Sequence, residues 1–252
     1  MNFELASDTR IGARRMNQDR IGHWQTDEAM LLAVADGMGG HLRGEVAAQL
    51  SIEVLAEEFR RAAQPHVAEP EAFLRNALHA AHAAILVEAQ RLRLPESPRT
   101  VIVASLVQDG VAWWMHVGDC RLYFVRDSRV VHRTRDHSVV QQLIDQGRIR
   151  EEAAEWHPEK NRLLQCLGGM PSPRPEPAGR EALAPGDVLL LCSDGFWGPL
   201  GPRQMLHSLA TRPLREAIDE LSALAERRAG ERCDNVSVLA LRHPAARNDA
   251  AP

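Results

Sequence analysis

The sequence lacks the features that mark membrane, secreted or zinc-ribbon proteins. No uninterrupted apolar stretch approaches the length needed to cross a bilayer, about 20 residues as a helix. The opening MNFELASDTR carries charges where a secretory signal needs an apolar run. Four cysteines (Cys120, Cys166, Cys192 and Cys233) include no CxxC pair. That excludes a disulfide framework or zinc ribbon by spacing and leaves reduced thiols in a cytosol as the expectation. Basic charge is not in excess either: 30 Lys and Arg stand against 34 Asp and Glu, a net charge of -4 with a pI near 6.3. Broad binding to nucleic acid or to anionic membranes is therefore not expected. There is no internal repeat and no long low-complexity segment. What remains is a soluble, cytoplasmic chain, with a monomer as the simplest state.

At 252 residues and 44% hydrophobic content, the chain has ample material for a sizeable core. Two apolar stripes at helical spacing open it, Val46, Leu50, Val54, Leu55 and Phe59, then Leu74, Leu78, Ala81 and Ile85. Pro65 and Pro70 break the chain between them. Short β-branched or apolar runs follow at 100–107, 111–117, 121–125 and 130–133, separated by turn residues such as Asp109-Gly110 and Gly118-Asp119-Cys120. Spacing this close leaves no room for crossover helices, so these strands are expected to pair antiparallel, which excludes a Rossmann-type arrangement there. A short helix opened by Asp136 and running to Gly147 is expected next, then an exposed helical segment from Arg148 to Lys160. Pro171, Pro173, Pro175 and Pro177 mark an extended loop. Val188–Cys192 reads as a buried strand, Leu214, Ile218, Leu221 and Ala225 as a late amphipathic helix, and Val236–Leu241 as a final strand. Helices bracketing antiparallel strands point to a layered α+β domain, with a disordered tail after His243.

The most informative feature is where aspartates fall. Asp36 follows the apolar run Leu31–Ala35 and precedes Gly37-Met38-Gly39-Gly40; Asp194 ends the run 188–193 and precedes Gly195. Asp234 precedes the last strand, Asp119 sits in a turn with Gly118, and Asp19 lies beside a strand. A carboxylate next to glycine can approach an ion closely, and the glycine carbonyl offers another hard oxygen. Oxygen-only donors suit Mg²⁺ or Mn²⁺ rather than zinc or copper. Any one Asp-Gly pair could equally be a plain turn; the set of five argues otherwise.

Arg14-Arg15-Met16-Asn17-Gln18-Asp19 and Val34-Ala35-Asp36-Gly37-Met38-Gly39-Gly40-His41 resemble the opening motifs of bacterial PP2C-type (PPM) phosphatases. His116-Val117-Gly118-Asp119-Cys120-Arg121 and Thr134-Arg135-Asp136-His137-Ser138 resemble the central motifs. Leu191-Cys192-Ser193-Asp194-Gly195 and Cys233-Asp234-Asn235-Val236 resemble the closing ones. The resemblance runs in family order from about residue 5 to 242. It implies a four-layer α/β/β/α sandwich with two central antiparallel sheets, formed by one domain over 1–243 with 244–252 as tail. It further implies two core Mn²⁺ or Mg²⁺ ions, with Asp36 bridging them, the Gly37 carbonyl on one, and Asp194 and Asp234 on the other. Asp119 with Asp194 would hold a third, weaker ion. Asp19 would orient the attacking water, Arg14 would grip the substrate phosphate, and His41 is the candidate proton donor to the leaving oxygen. The implied activity is hydrolysis of phosphoserine and phosphothreonine on proteins, reversing a Hanks-type kinase. Related sigma-regulatory phosphatases and a catalytically inactive binding module are the alternatives; Arg14 and Asp119 speak against the first, and the full set of aspartates against the second.

Two departures from the family pattern stand out. Arg99-Thr100-Val101 replaces the usual Gly-Thr-Thr, and Cys120 replaces the serine beside Asp119. Cys192 and Cys233 also flank expected ligands, so oxidation of these thiols is a possible means of tuning activity. Asp136-His137 reads as a helix cap with a satisfied histidine rather than a catalytic dyad, and Trp113-Trp114 as sheet packing. The segment 146–168 corresponds to the family's variable flap.

Overall fold

The computed structural model describes residues 3–38 and 43–244. Its strands alternate strictly, and the alternation explains why so many of them are apolar throughout. In β3 (Ala29–Gly37), Ala29, Leu31, Ala33 and Ala35 face one apolar cluster while Met30, Leu32 and Val34 face another. In β9 (Val188–Cys192), Val188, Leu190 and Cys192 face outward to helices and Leu189 and Leu191 inward to the opposite sheet. A strand covered on both faces has no position that favours a polar residue. Its sequence therefore shows no period of two.

These strands form two five-stranded antiparallel sheets. One runs β2 (Arg20–Gln25), β3, β4 (Thr100–Gln108), β5 (Val111–Val117), β8 (Gly179–Ala182). The other runs β1 (Glu4–Arg10), β10 (Val236–Arg242), β9, β6 (Arg121–Arg126), β7 (Arg129–Arg133). Helices α1 (Gly44–Ala62) and α2 (Pro70–Arg91) cover the first sheet through Leu55, Phe59, Leu74, Leu78 and Ile85. Helices α4 (Asp194–Trp197), α5 (Pro202–Thr211) and α6 (Leu214–Ala229) cover the second through Phe196, Met205, Ile218 and Leu221. Between the sheets lie Leu32, Val103, Trp114, Leu122, Phe124, Leu191 and Leu239. The order is helix, sheet, sheet, helix, as expected.

Three expectations need correction. β5 and β6 do not pair with each other: the turn Gly118-Asp119-Cys120 carries the chain from one sheet to the other. The short helix is α3 (Val139–Asp145), capped by the Ser138 hydroxyl accepting the Gln141 N–H at 3.1 Å, not opened by Asp136. Asp136 is drawn away by Arg121, which donates to it at 2.8 and 2.7 Å. Of 148–160, only Glu151–Trp156 is helical, as an exposed 3₁₀ segment. In α1 the fully buried line is Ala47, Ala48, Ser51, Ile52, Leu55 and Phe59, with Val46, Leu50 and Val54 at its half-buried margin. Beyond Pro244 the tail lies outside the described residues.

Candidate active site

Antiparallel order brings the aspartates to one end of the sandwich. Asp19 precedes the start of β2 and Asp36 lies at the end of its neighbour β3. Asp119 follows the end of β5, Asp194 follows the end of β9, and Asp234 precedes the start of β10. Residues up to 215 positions apart thus share one mouth between the sheets. Gly37 lets α1 in: a side chain there would place its Cβ 2.4 Å from the Gly44 carbonyl oxygen. No other residue fits that crossing.

The carboxyls perturb one another. Burial first, then the charges of Asp19, Asp194, Asp119 and Asp234, push Asp36 well above the ordinary carboxylate range. Burial pushes Asp19 up to about 7, with Asp194 and Asp234 adding to it and the serine hydroxyls opposing it. Asp194 is pushed up to about 6 by burial and by Asp234. Asp119 is raised well above its usual value by burial and then by Asp194.

Among the described residues, no three acidic, histidine or cysteine side chains form a ready-made coordination shell. The fit to a cation rests on charge and unmet valence instead. Asp19 Oδ1 and Asp194 Oδ1 are buried with no hydrogen-bond partner. Clustered carboxylates kept from water with acceptors to spare call for positive charge. All donors are hard oxygens, which suits Mg²⁺ or Mn²⁺.

Arg14 reaches this cluster, donating through Nη2 to Asp234 Oδ2 at 2.6 Å. Its loop is held by a residue that motif reading quoted without assigning a role. Asn235 Nδ2 donates to the carbonyls of Ile11 and Met16 at 2.8 and 3.0 Å, and its Oδ1 accepts the Gln18 N–H at 2.8 Å. Gly12, with φ 60°, lies against the Asp234 carbonyl. The arginine loop and the Asp234 turn are therefore one unit. Ser193 likewise goes beyond its motif, donating to Asp19 Oδ2 at 2.8 Å.

His41 lies outside the described residues. His137 Nδ1 accepts the Gly118 N–H at 3.2 Å and its ring stacks on His116 at 4.4 Å between centroids. Burial and then His116 push it down to about 4, and its Nε2 has no partner, so it is not the satisfied histidine expected. Cys120 and Cys192 are fully buried, and burial raises both thiols far from the thiolate form that oxidation needs. Trp114 packs between the sheets beside Phe124, 6.2 Å between centroids, as sheet packing requires.

Fold and site together define a layered α/β/β/α protein with an acidic, cation-seeking mouth. The model of the protein phosphatase 2C family matches residues 8–232, and the chain belongs to that family. It is 37% identical to the serine/threonine protein phosphatase PstP of Mycobacterium tuberculosis over 205 residues, 79% of this chain and 38% of PstP. The chain thus matches well under half the length of that curated relative. It is 31% identical to the serine/threonine phosphatase stp of Listeria monocytogenes over 222 residues, 87% of each protein. The crystal structure of the PstP catalytic domain in complex with two manganese ions superposes with a TM-score of 0.82 at 32% identity, covering 95% of this chain and 97% of that one.

Proposed function

We propose that this chain is a metal-dependent protein phosphatase that hydrolyses phosphoserine and phosphothreonine on protein substrates, reversing a Ser/Thr kinase. The observation that carries the reading is the convergence of Asp36, Asp119 and Asp194, each pushed up by burial and by neighbouring carboxyls, on one mouth whose rim carries the charge of Asp234. In this reading a single domain over 1–243 does the chemistry. Asp36, with the Gly37 carbonyl, Asp194 and Asp234, would hold two divalent cations, Mn²⁺ or Mg²⁺, and Asp119 with Asp194 would hold a weaker third. Such ions, when bound, neutralise the phosphate and lower the pKa of water for attack at phosphorus.

The chain's own residues do the rest. Arg14, half-exposed at the rim, presents a planar fork to the phosphate oxygens. Asp19 is anchored through Oδ2 by Ser193, and its unpartnered Oδ1 is an acceptor that orients the attacking water. Asn235 keeps the Arg14 loop in register with the Asp234 turn. Four unpaired thiols are what a reducing compartment maintains, which supports a cytoplasmic setting. Among the described residues, no helix is long and apolar enough to cross a membrane.

The test is hydrolysis of p-nitrophenyl phosphate and of a phosphothreonine peptide in Mn²⁺, repeated after EDTA. Activity should vanish on chelation and return with Mn²⁺. Full activity after thorough chelation overturns the metal reading, and inactivity in saturating Mn²⁺ favours a binding module.

A further inference from the structure

We propose that Trp197 is a positioning residue that sets the spacing between Asp119 and Asp194, and through it the affinity of the weaker cation the two would share; this rests on the ligand reading above. Asp119 is exposed to drift because its turn crosses between sheets and gains no hairpin ladder. Its neighbour Gly118 is clamped to His137 by two hydrogen bonds, N–H to Nδ1 at 3.2 Å and carbonyl to the His137 N–H at 2.9 Å. The Asp119 carbonyl is held from the other side, where Trp197 Nε1 donates to it at 3.0 Å. Trp197 is the last residue of α4, the one-turn helix that Asp194 opens. One indole therefore ties the turn carrying one carboxylate to the helix carrying the other.

The ring itself is fixed. It lies on the Arg121 guanidinium, 3.3 Å from its centroid, a cation–π contact. Arg121 is held in turn by two bonds to Asp136 at 2.8 and 2.7 Å and one to the Tyr123 hydroxyl at 3.2 Å. Arg121 also pairs across the ladder with Cys192, two residues before Asp194. In α4 Phe196 is fully buried, whereas Trp197 is half-buried and reaches the same apolar cluster only at its margin. A residue that only filled space would not need an indole N–H aimed at a ligand-bearing turn. The two carboxylates repel, and the tie holds them together against that repulsion.

The experiment is Mn²⁺ titration of the full chain by calorimetry, comparing wild type, W197F and D119A. Phenylalanine still offers an aromatic face to Arg121 and removes the N–H together with the rest of the five-membered ring. W197F should bind the weakest ion about tenfold less tightly, as loss of an outer partner of a metal site does, with the tighter ions and the melting temperature in EDTA unmoved. Wild-type affinity for the weakest ion in W197F overturns the inference. So does uniform weakening of every ion together with a lower melting temperature, which would make Trp197 a packing residue. D119A separates the two levels. If it loses the weakest ion while W197F does not, only the role of Trp197 fails. If it keeps that ion, or wild type shows no weaker ion, the assignment of Asp119 fails and the inference with it.

Discussion

Asp19 and Asp187 are buried to nearly the same degree, 3% and 1% exposed, at opposite ends of the sandwich. Asp187 is fully answered. Arg126 donates to it through Nε at 3.0 Å and Nη2 at 2.7 Å, and the Ala184 N–H adds a bond at 2.7 Å. Asp19 receives one hydroxyl from Ser193, keeps one oxygen without a partner, and faces other carboxylates instead of a guanidinium. Burial alone therefore does not distinguish a structural acid from a functional one. Their partners do: a buried carboxylate that stabilises the fold is paired, and one reserved for a ligand is left wanting.

That contrast can be broken at several points. Asp36→Asn removes a proposed shared ligand without removing a packing partner. Losing an outer partner of a metal site costs about 10–100-fold, so this change should cost more, measured as p-nitrophenyl phosphate turnover in Mn²⁺, with an unchanged circular dichroism spectrum. A variant with wild-type turnover would end the assignment. Asp187→Ala should do the reverse: Arg126 keeps Glu181 and the Ala182 carbonyl, but its bonds to Asp187 and the acceptor for the Ala184 N–H are lost, costing about 2 kcal/mol in urea unfolding, while turnover per folded molecule stays put.

A third expectation concerns pH. Asp19 and Asp194 sit at about 7 and about 6 when folded, against roughly 4 in an unfolded chain. The folded state binds more protons across that window. In EDTA, stability from these groups is therefore full below about pH 4 and is lost as pH rises towards 7. Thermal melts in chelator at pH 5 and 7 should show the drop, and saturating Mn²⁺ should flatten or reverse it. A melting temperature that climbs with pH in chelator contradicts the charge reading. The smallest effect is expected from Arg14→Ala at the exposed rim: KM for p-nitrophenyl phosphate should rise on the order of tenfold, the worth of one charged hydrogen bond, with kcat little changed.

Much of this is legible in the sequence. The strands 100–107, 111–117, 121–125 and 130–133 fall within one residue of β4, β5, β6 and β7, because β-branched runs between turn residues carry both type and boundary. The stripe Leu74, Leu78, Ala81, Ile85 is buried as its spacing demands. The misreadings are as instructive. Asp136 had the chemistry of a helix cap, but a guanidinium fifteen residues away competed for it and won. β8 was not seen, being four residues that alternate half-buried and exposed at a sheet edge. Asn235 and Ser193 lay inside quoted motifs, yet nothing local could reveal hydrogen bonds to residues more than 170 positions distant.

By itself the sequence determined the kind of chemistry available, since hard carboxylate oxygens beside glycines, with no zinc-spaced His or Cys, suit few ligands other than divalent cations. It determined most of the local elements too, where side-chain shape and turn residues within a few positions suffice. Only the tertiary structure decided that the turn at Asp119 crosses between sheets, which aspartates are left unanswered, and which neighbours hold them. Those outcomes depend on contacts between segments far apart in the chain, and no local pattern encodes a partner that distant.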